Sequence, residues 1–133
     1  MAVHRFHNPP TVHAPTGYTH VVEATGPGRT IYVSGQVGVT PDGKIAGDFR
    51  AQSTQSMENL KNALAAVGAK LEHVVKITNY FVDISHLAIF REVRDGFFDT
   101  KAPPASTAVQ ISKLAREGLL FEIEAIAVVP DKE

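Results

Sequence analysis

The chain contains no cysteine. Disulfides, thiolate nucleophiles, zinc-thiolate sites and iron-sulfur clusters are therefore excluded. It also lacks an excess of either charge: 13 Lys and Arg stand against 14 Asp and Glu, a formal net charge of −1. Proteins that grip a phosphate backbone usually draw on a basic excess, so nucleic acid is a poor fit as a partner. No apolar run approaches the roughly 20 residues that a membrane-spanning helix needs. The opening "MAVHRFHNPPTVHAP" has no apolar central region and does not read as a secretory signal, so a cytoplasmic location is the expectation. The six histidines are scattered and form no H-E-x-x-H pattern, and no metal site is expected. "GPGRT", residues 26 to 30, lacks the G-x-x-x-x-G-K-[ST] spacing of a phosphate loop and reads as a turn.

What is present fits one domain spanning residues 1 to 133: 44% of residues are hydrophobic, 20% are charged, and no repeat or linker divides the chain. Residues 1 to 17 read as an irregular arm. "YTHVVEATGPGRTIYVSGQ" reads as two strands joined in a hairpin at Gly26-Pro27-Gly28. "TPDGK" is a turn. Met57, Leu60, Leu64 and Val67 then recur at helical spacing, with Asp48 placed to cap the helix start and Gly68 to close its end. Residues 74 to 82 are β-branched and aromatic, a strand. Leu87, Phe90, Val93 and Phe97 define a second helix, stopped by "KAPP". Two further strands are expected at residues 105 to 111 and 120 to 129.

The order β-β-α-β-α-β-β predicts an α/β fold of α+β type, a mixed β-sheet of about six strands with two helices on one face. In the last strand Phe121, Ile123, Ala125, Ala127 and Val129 form an apolar series suited to the helices. The opposite series, Glu122, Glu124, Ile126 and Val128, is half apolar. Two helices cannot cover both faces, so Ile126 and Val128 are expected to lie exposed in a lone chain and to mark a self-association surface.

Three stretches in order, "YVSGQVG" at 32 to 38, "PPASTAVQ" at 103 to 110 and "EIEAIAVV" at 122 to 129, resemble the RidA/YjgF family of reactive-intermediate deaminases. "QSMENLKNALAAVGAKLEHVVKITNYFVD" resembles that family's first helix and following strand, and the likeness runs over residues 18 to 129. The resemblance implies a chorismate-mutase-like fold, a homotrimer, and clefts between subunits. It implies that small imines or enamines of the 2-aminoacrylate kind are hydrolysed there to 2-keto acids and ammonia, with no metal or organic cofactor. Deaminating members read Pro-Ala-Arg before the fifth strand, and that arginine holds the substrate carboxylate by two parallel hydrogen bonds. Here Pro104 and Ala105 are followed by Ser106. A serine donates one neutral hydrogen bond, so a substrate other than the usual one is implied.

By the same resemblance Glu122 matches the acidic residue that positions or activates water, and a desolvated carboxylate suits a general base. Ser34, Gly35 and Gln36 match a strand end lining the cleft, where glycine permits close approach and exposed amides can hold an oxygen. Tyr18 matches a cleft-closing tyrosine. Thr107 and Ala108 follow Ser106 along the lining, although Ser106 and Thr107 have no His or Lys base that would make them nucleophiles. Arg91 falls off the apolar stripe of the second helix and is either a solvated charge or a relocated anion binder. The implied activity is a hydrolase acting on an imine, enamine or related C=N substrate. A non-catalytic ligand-binding trimer is the alternative, and an endoribonuclease, which the near-neutral charge disfavours, is a third.

Overall fold

The computed structural model describes residues 3 to 131. Among them six strands and two α-helices occur: β1 Val3–His7, β2 Val21–Thr25, β3 Gly28–Val37, α1 Phe49–Ala65, β4 Val74–Phe81, α2 Leu87–Asp95, β5 Ala105–Gln110 and β6 Phe121–Pro130. Short 3-10 turns precede β4 and α2.

The strands form two sheets: a mixed one in the order β3-β6-β4-β5, and a ribbon of β1 and β2. β4 and β5 run parallel, while β6 is antiparallel to both of its neighbours. Along β6 strict alternation places Phe121, Ile123, Ala125 and Ala127 under the helices, all essentially buried. α1 lies across β3 and β6 and touches α2. Phe49, Phe81, Phe90 and Phe121 meet at centroid separations of 4.9 to 5.8 Å, an aromatic knot joining both helices to the sheet.

The ends of α1 follow its local chemistry. Asp48 accepts a hydrogen bond from the Ala51 amide at 2.9 Å. At the other end Gly68, at φ +74, lets the amides of Ala69 and Gly68 return to the carbonyls of Leu64 and Ala65. Val67 therefore lies beyond the last turn and is 44% exposed instead of continuing the buried stripe. α2 stops at Asp95 with Gly96 as its cap, ahead of "KAPP", where the amides of Gly96 and Phe97 turn back to the carbonyls of Val93 and Arg94 three residues earlier, so Phe97 lies beyond the helix.

Three further expectations are corrected. The segment 1 to 17 is not wholly irregular: Val3–His7 pairs antiparallel with Val21–Thr25, while Met1 and Ala2 lie outside the described residues. The hairpin of β2 with β3 is absent, and with it the single sheet of six. β6 offers two edges and takes β3 on one of them, so β2 completes its ladder with β1 and the chain changes sheets at Gly26-Pro27. Ile126 and Val128 are half-buried rather than exposed. Ile126 is flanked in register by Tyr32 and Lys76, and His4 Nε2 lies 3.0 Å from the Val128 carbonyl oxygen. Among the described residues the most exposed large hydrophobic is Tyr32, on that helix-free face, 77% exposed.

Two side-chain fastenings hold the periphery. Gln52, 2% exposed, donates to the carbonyls of Gly47 and Gly118 and accepts from the Leu120 amide at 2.8 Å, tying α1 to the loop that enters β6. Thr19, 1% exposed, donates its hydroxyl to the Pro103 carbonyl and its amide to the Pro104 carbonyl at 3.2 Å, strapping the segment before β2 to the entry of β5. Gln52→Leu keeps the volume but strands buried backbone groups, and urea titration should show a loss of about 2 to 4 kcal/mol.

Candidate ligand site

The residues singled out in the sequence fall into two groups on opposite faces of the four-stranded sheet. Register decides this: Ser106 sits beside Ile77 on the helix side, whereas Glu122 sits beside Tyr80 on the helix-free side.

On the helix side a cavity of about 230 Å³ is lined by Tyr18, Arg91, Ser106 and Ala108, four of the expected residues, together with Thr16, Leu87, Phe90 and Arg94. Buried Asn79 donates to Ser106 Oγ and to the Thr107 carbonyl, both at 3.0 Å. The carbonyl can only accept, which fixes the orientation of the amide and makes Ser106 an acceptor toward Asn79. The serine proton is thus free to point at a ligand. Tyr18 is half-buried at the cavity wall, its hydroxyl 3.2 Å from His13 Nε2, and its ring meets that of His20 edge-on. Thr107 does not join this cavity. It points to the other face, where its Oγ1 accepts from Lys76 Nζ at 2.7 Å.

On the helix-free side Gly35, Tyr80, Glu122 and Glu124 line an open groove of about 460 Å³ with Lys113 and Leu114. A β-bulge positions the glycine: between the pairs Val33–Ala125 and Gln36–Ile123, β3 has two residues where β6 has one. The Glu122 carboxylate rests against the Gly35 backbone, and a Cβ at position 35 would fall 2.0 Å from its Oε2. Only glycine leaves that space. Burial pushes the Glu122 carboxyl above the ordinary carboxylate range, and the neighbouring charge of Glu124 adds to the effect. Tyr80 donates its hydroxyl to Glu124, and that bond raises the phenol above its usual value. Ser34 is exposed, its carbonyl accepting from Gln36 Nε2 at 3.1 Å. Neither of these two side chains reaches the Glu122 groove.

Arg94 was not evident beforehand. It is 5% exposed, and a signal for it was present: Phe90, Val93, Arg94 and Phe97 follow the 0, 3, 4, 7 spacing of a buried stripe, with a cation at one position. Asn79, in the buried series of β4, was likewise passed over.

An antiparallel-dominated sheet with two helices on one face and a carboxylate held against a bulged glycine on the other defines a small two-layer α+β domain. The chain belongs to the RidA/YjgF family, whose model, described as Endoribonuclease L-PSP, matches residues 11–129. It is 41% identical over 113 residues to Protein DfrA of Myxococcus xanthus, covering 84% of each chain. It is 34% identical to the 2-iminobutanoate/2-iminopropanoate deaminase of Salmonella typhimurium, covering 89% of this chain and 94% of the relative. A crystal structure of the Rid family protein YyfB from Yersinia pestis superposes with a TM-score of 0.87 at 34% identity, covering 95% of this chain and 98% of that one.

A raised carboxyl carries a sign for stability. Folding favours the protonated form of Glu122, so the fold loses stability as pH rises through the raised folded-state value. In acid, where folded and unfolded chains are both protonated, nothing is lost. Glu122→Gln should therefore be more stable than the parent in urea titrations at neutral pH, and the difference should vanish below about pH 4. A difference that does not change with pH would contradict this environment for Glu122.

Proposed function

We propose that this protein is a small-molecule hydrolase that cleaves a C=N bond in a composite site, with Glu122 contributed by one copy and the Tyr18–Ser106 cavity by another, in a homotrimer. One observation carries the reading. The carboxylate best suited to proton transfer and the cavity best suited to holding a ligand lie on opposite faces of one sheet, so a single chain cannot bring both to one substrate. The cavity borders β5, an edge strand that a neighbour can approach, and exposed Tyr32 supports reading the helix-free face as a self-association surface. Family membership and the relative named as an iminobutanoate and iminopropanoate deaminase support the reaction class.

The chemistry balances with one carboxylate. Water adds its oxygen to the imine carbon as Glu122 takes a proton from it, and the same proton passes to the nitrogen of the resulting carbinolamine. Glu122 then carries the hydroxyl proton of the carbinolamine to the same nitrogen as the C–N bond breaks, leaving a carbonyl compound and ammonia. An enamine substrate first takes a proton on carbon to become the imine. A carboxyl raised above its ordinary range by burial is a stronger base toward water, and its conjugate acid returns the proton to nitrogen. In this reading a backbone amide beside Gly35, which lines the same groove, donates to a substrate oxygen.

Glu122→Gln should lower ammonia release from imines generated in solution by about 10²- to 10⁴-fold. Mixed oligomers refolded from Glu122→Gln and Tyr18→Ala chains, each impaired alone, should recover part of the lost rate, because some sites then combine two intact halves. No recovery in mixtures of proven exchange would sink the composite site. Sedimentation equilibrium should give a trimer at micromolar concentration, and a stable monomer would count against the assembly.

The usual 2-iminopropanoate-type substrates should turn over slowly. A neutral Ser106 stands where family deaminases place a bidentate cation, a change worth roughly 30-fold to several thousand-fold in rate. Turnover equal to that of an arginine-bearing relative would overturn that reading.

A further inference from the structure

The cation absent from β5 has a counterpart on α2. We infer that Arg94 and Arg91 together form a two-guanidinium anion site, and that this site selects a small doubly charged acid over a singly charged one. The inference rests on the functional reading above for its place in a catalytic cleft, but the binding claim is separable from turnover.

Arg94 is the anchor. Its side chain is more than nine-tenths buried, its Nε lies 3.1 Å from Asp95 Oδ1, and its guanidinium carbon sits 5.9 Å from the Phe90 ring centroid. Asp95 engages only the Nε edge. Among the described residues no other carboxylate lies within ion-pair distance of the guanidinium. The remaining guanidinium donors have no acceptor among the described residues and are not sealed from solvent, so they stay open to a bound anion. Those donors belong to a residue lining the same cavity as Ser106.

Its position is also built. Gly17, at φ +76, lets the backbone approach so closely that an added Cβ would stand 2.0 Å from Arg94 Nη2. The guanidinium is clamped between the segment before β2 and the Phe90 ring.

Arg91 lies three residues earlier on α2 and so on a neighbouring line of the helix surface; it is exposed and borders the same cavity. Among the described residues it has no carboxylate partner, since Glu92 is engaged by Arg50 at 3.0 Å. The cavity lining thus holds two cations and no acid, with the Tyr18 and Ser106 hydroxyls as neutral donors and Leu87 and Phe90 as apolar wall. A monocarboxylate satisfies one guanidinium and leaves the other. A short diacid satisfies both through charge-assisted hydrogen bonds.

Calorimetric titration of the intact protein with succinate and with butyrate, acids of equal carbon number, tests this. Succinate should bind at least about tenfold more tightly. Arg91→Gln should bring succinate down to the level of butyrate, Arg94→Gln should weaken both, and Gly17→Ala, which pushes the guanidinium aside, should weaken succinate. Lys61→Gln, on the exposed side of α1, should change nothing. Equal affinity for the two acids, or no binding of either at millimolar concentration, overturns the inference, as does a folded Arg94→Gln that binds succinate like the parent. If Arg94→Gln fails to fold, the parent's selectivity and Arg91→Gln decide the matter. Selectivity without any imine hydrolysis would remove the catalytic reading alone, and Glu122-dependent hydrolysis without selectivity would remove this one alone.

Discussion

The burial of one face of β6 is the constraint on which everything else depends. The strand is hydrogen-bonded on both edges, so its backbone needs nothing from water, and its inner side chains Phe121, Ile123, Ala125 and Ala127 are covered by the helices. The same strict alternation that sends those four inward turns Glu122 and Glu124 outward. A carboxylate in that position is a direct product of the core. Its backbone cannot shift without disturbing Phe121 and Ile123, which gives the acid a fixed mount.

Local chemistry made much of the fold legible. The Asp48 cap, the Gly68 closure and the buried spacing of Met57, Leu60, Leu64, Phe90 and Val93 depend on neighbours a few residues away, and the structure bears them out, whereas Val67 and Phe97 fall beyond the helix ends. The alternation in "FEIEAIAVV" likewise identified the inner face of the last strand. The partner of β2 was not legible, because a turn-like Gly26-Pro27-Gly28 suits a hairpin as well as a change of sheet. Which ladder forms depends on an edge of β6 about a hundred residues away in the chain.

The candidate site divides in the same manner. That Glu122 and Ser106 belong to a ligand-handling region came from the family likeness, but that they face opposite sides of the sheet depends on inter-strand register, which no single strand reveals. Arg94 escaped attention because a charge at a buried helical position reads as a break in the stripe. Phe90 and Asp95 are its neighbours on α2, and only the tertiary structure brings Gly17 beside it. Arg91, which falls off the stripe, is exposed as its spacing implies and still borders the cavity.

The strap at Thr19 bears on how a ligand could enter. Pro103 and Pro104 have no backbone hydrogen to donate, so the peptide entering β5 can be fastened only through its carbonyls. Thr19 supplies a donor to each of them. Gly17 and Tyr18, which close over the helix-side cavity, are carried on the same segment. The wall is thus fastened to the entry of β5 through Thr19 and not woven into the four-stranded sheet. It lies outside the pairing of β3, β6, β4 and β5, so the wall beside any ligand entry is held by side-chain and loop hydrogen bonds rather than by the ladder of the sheet.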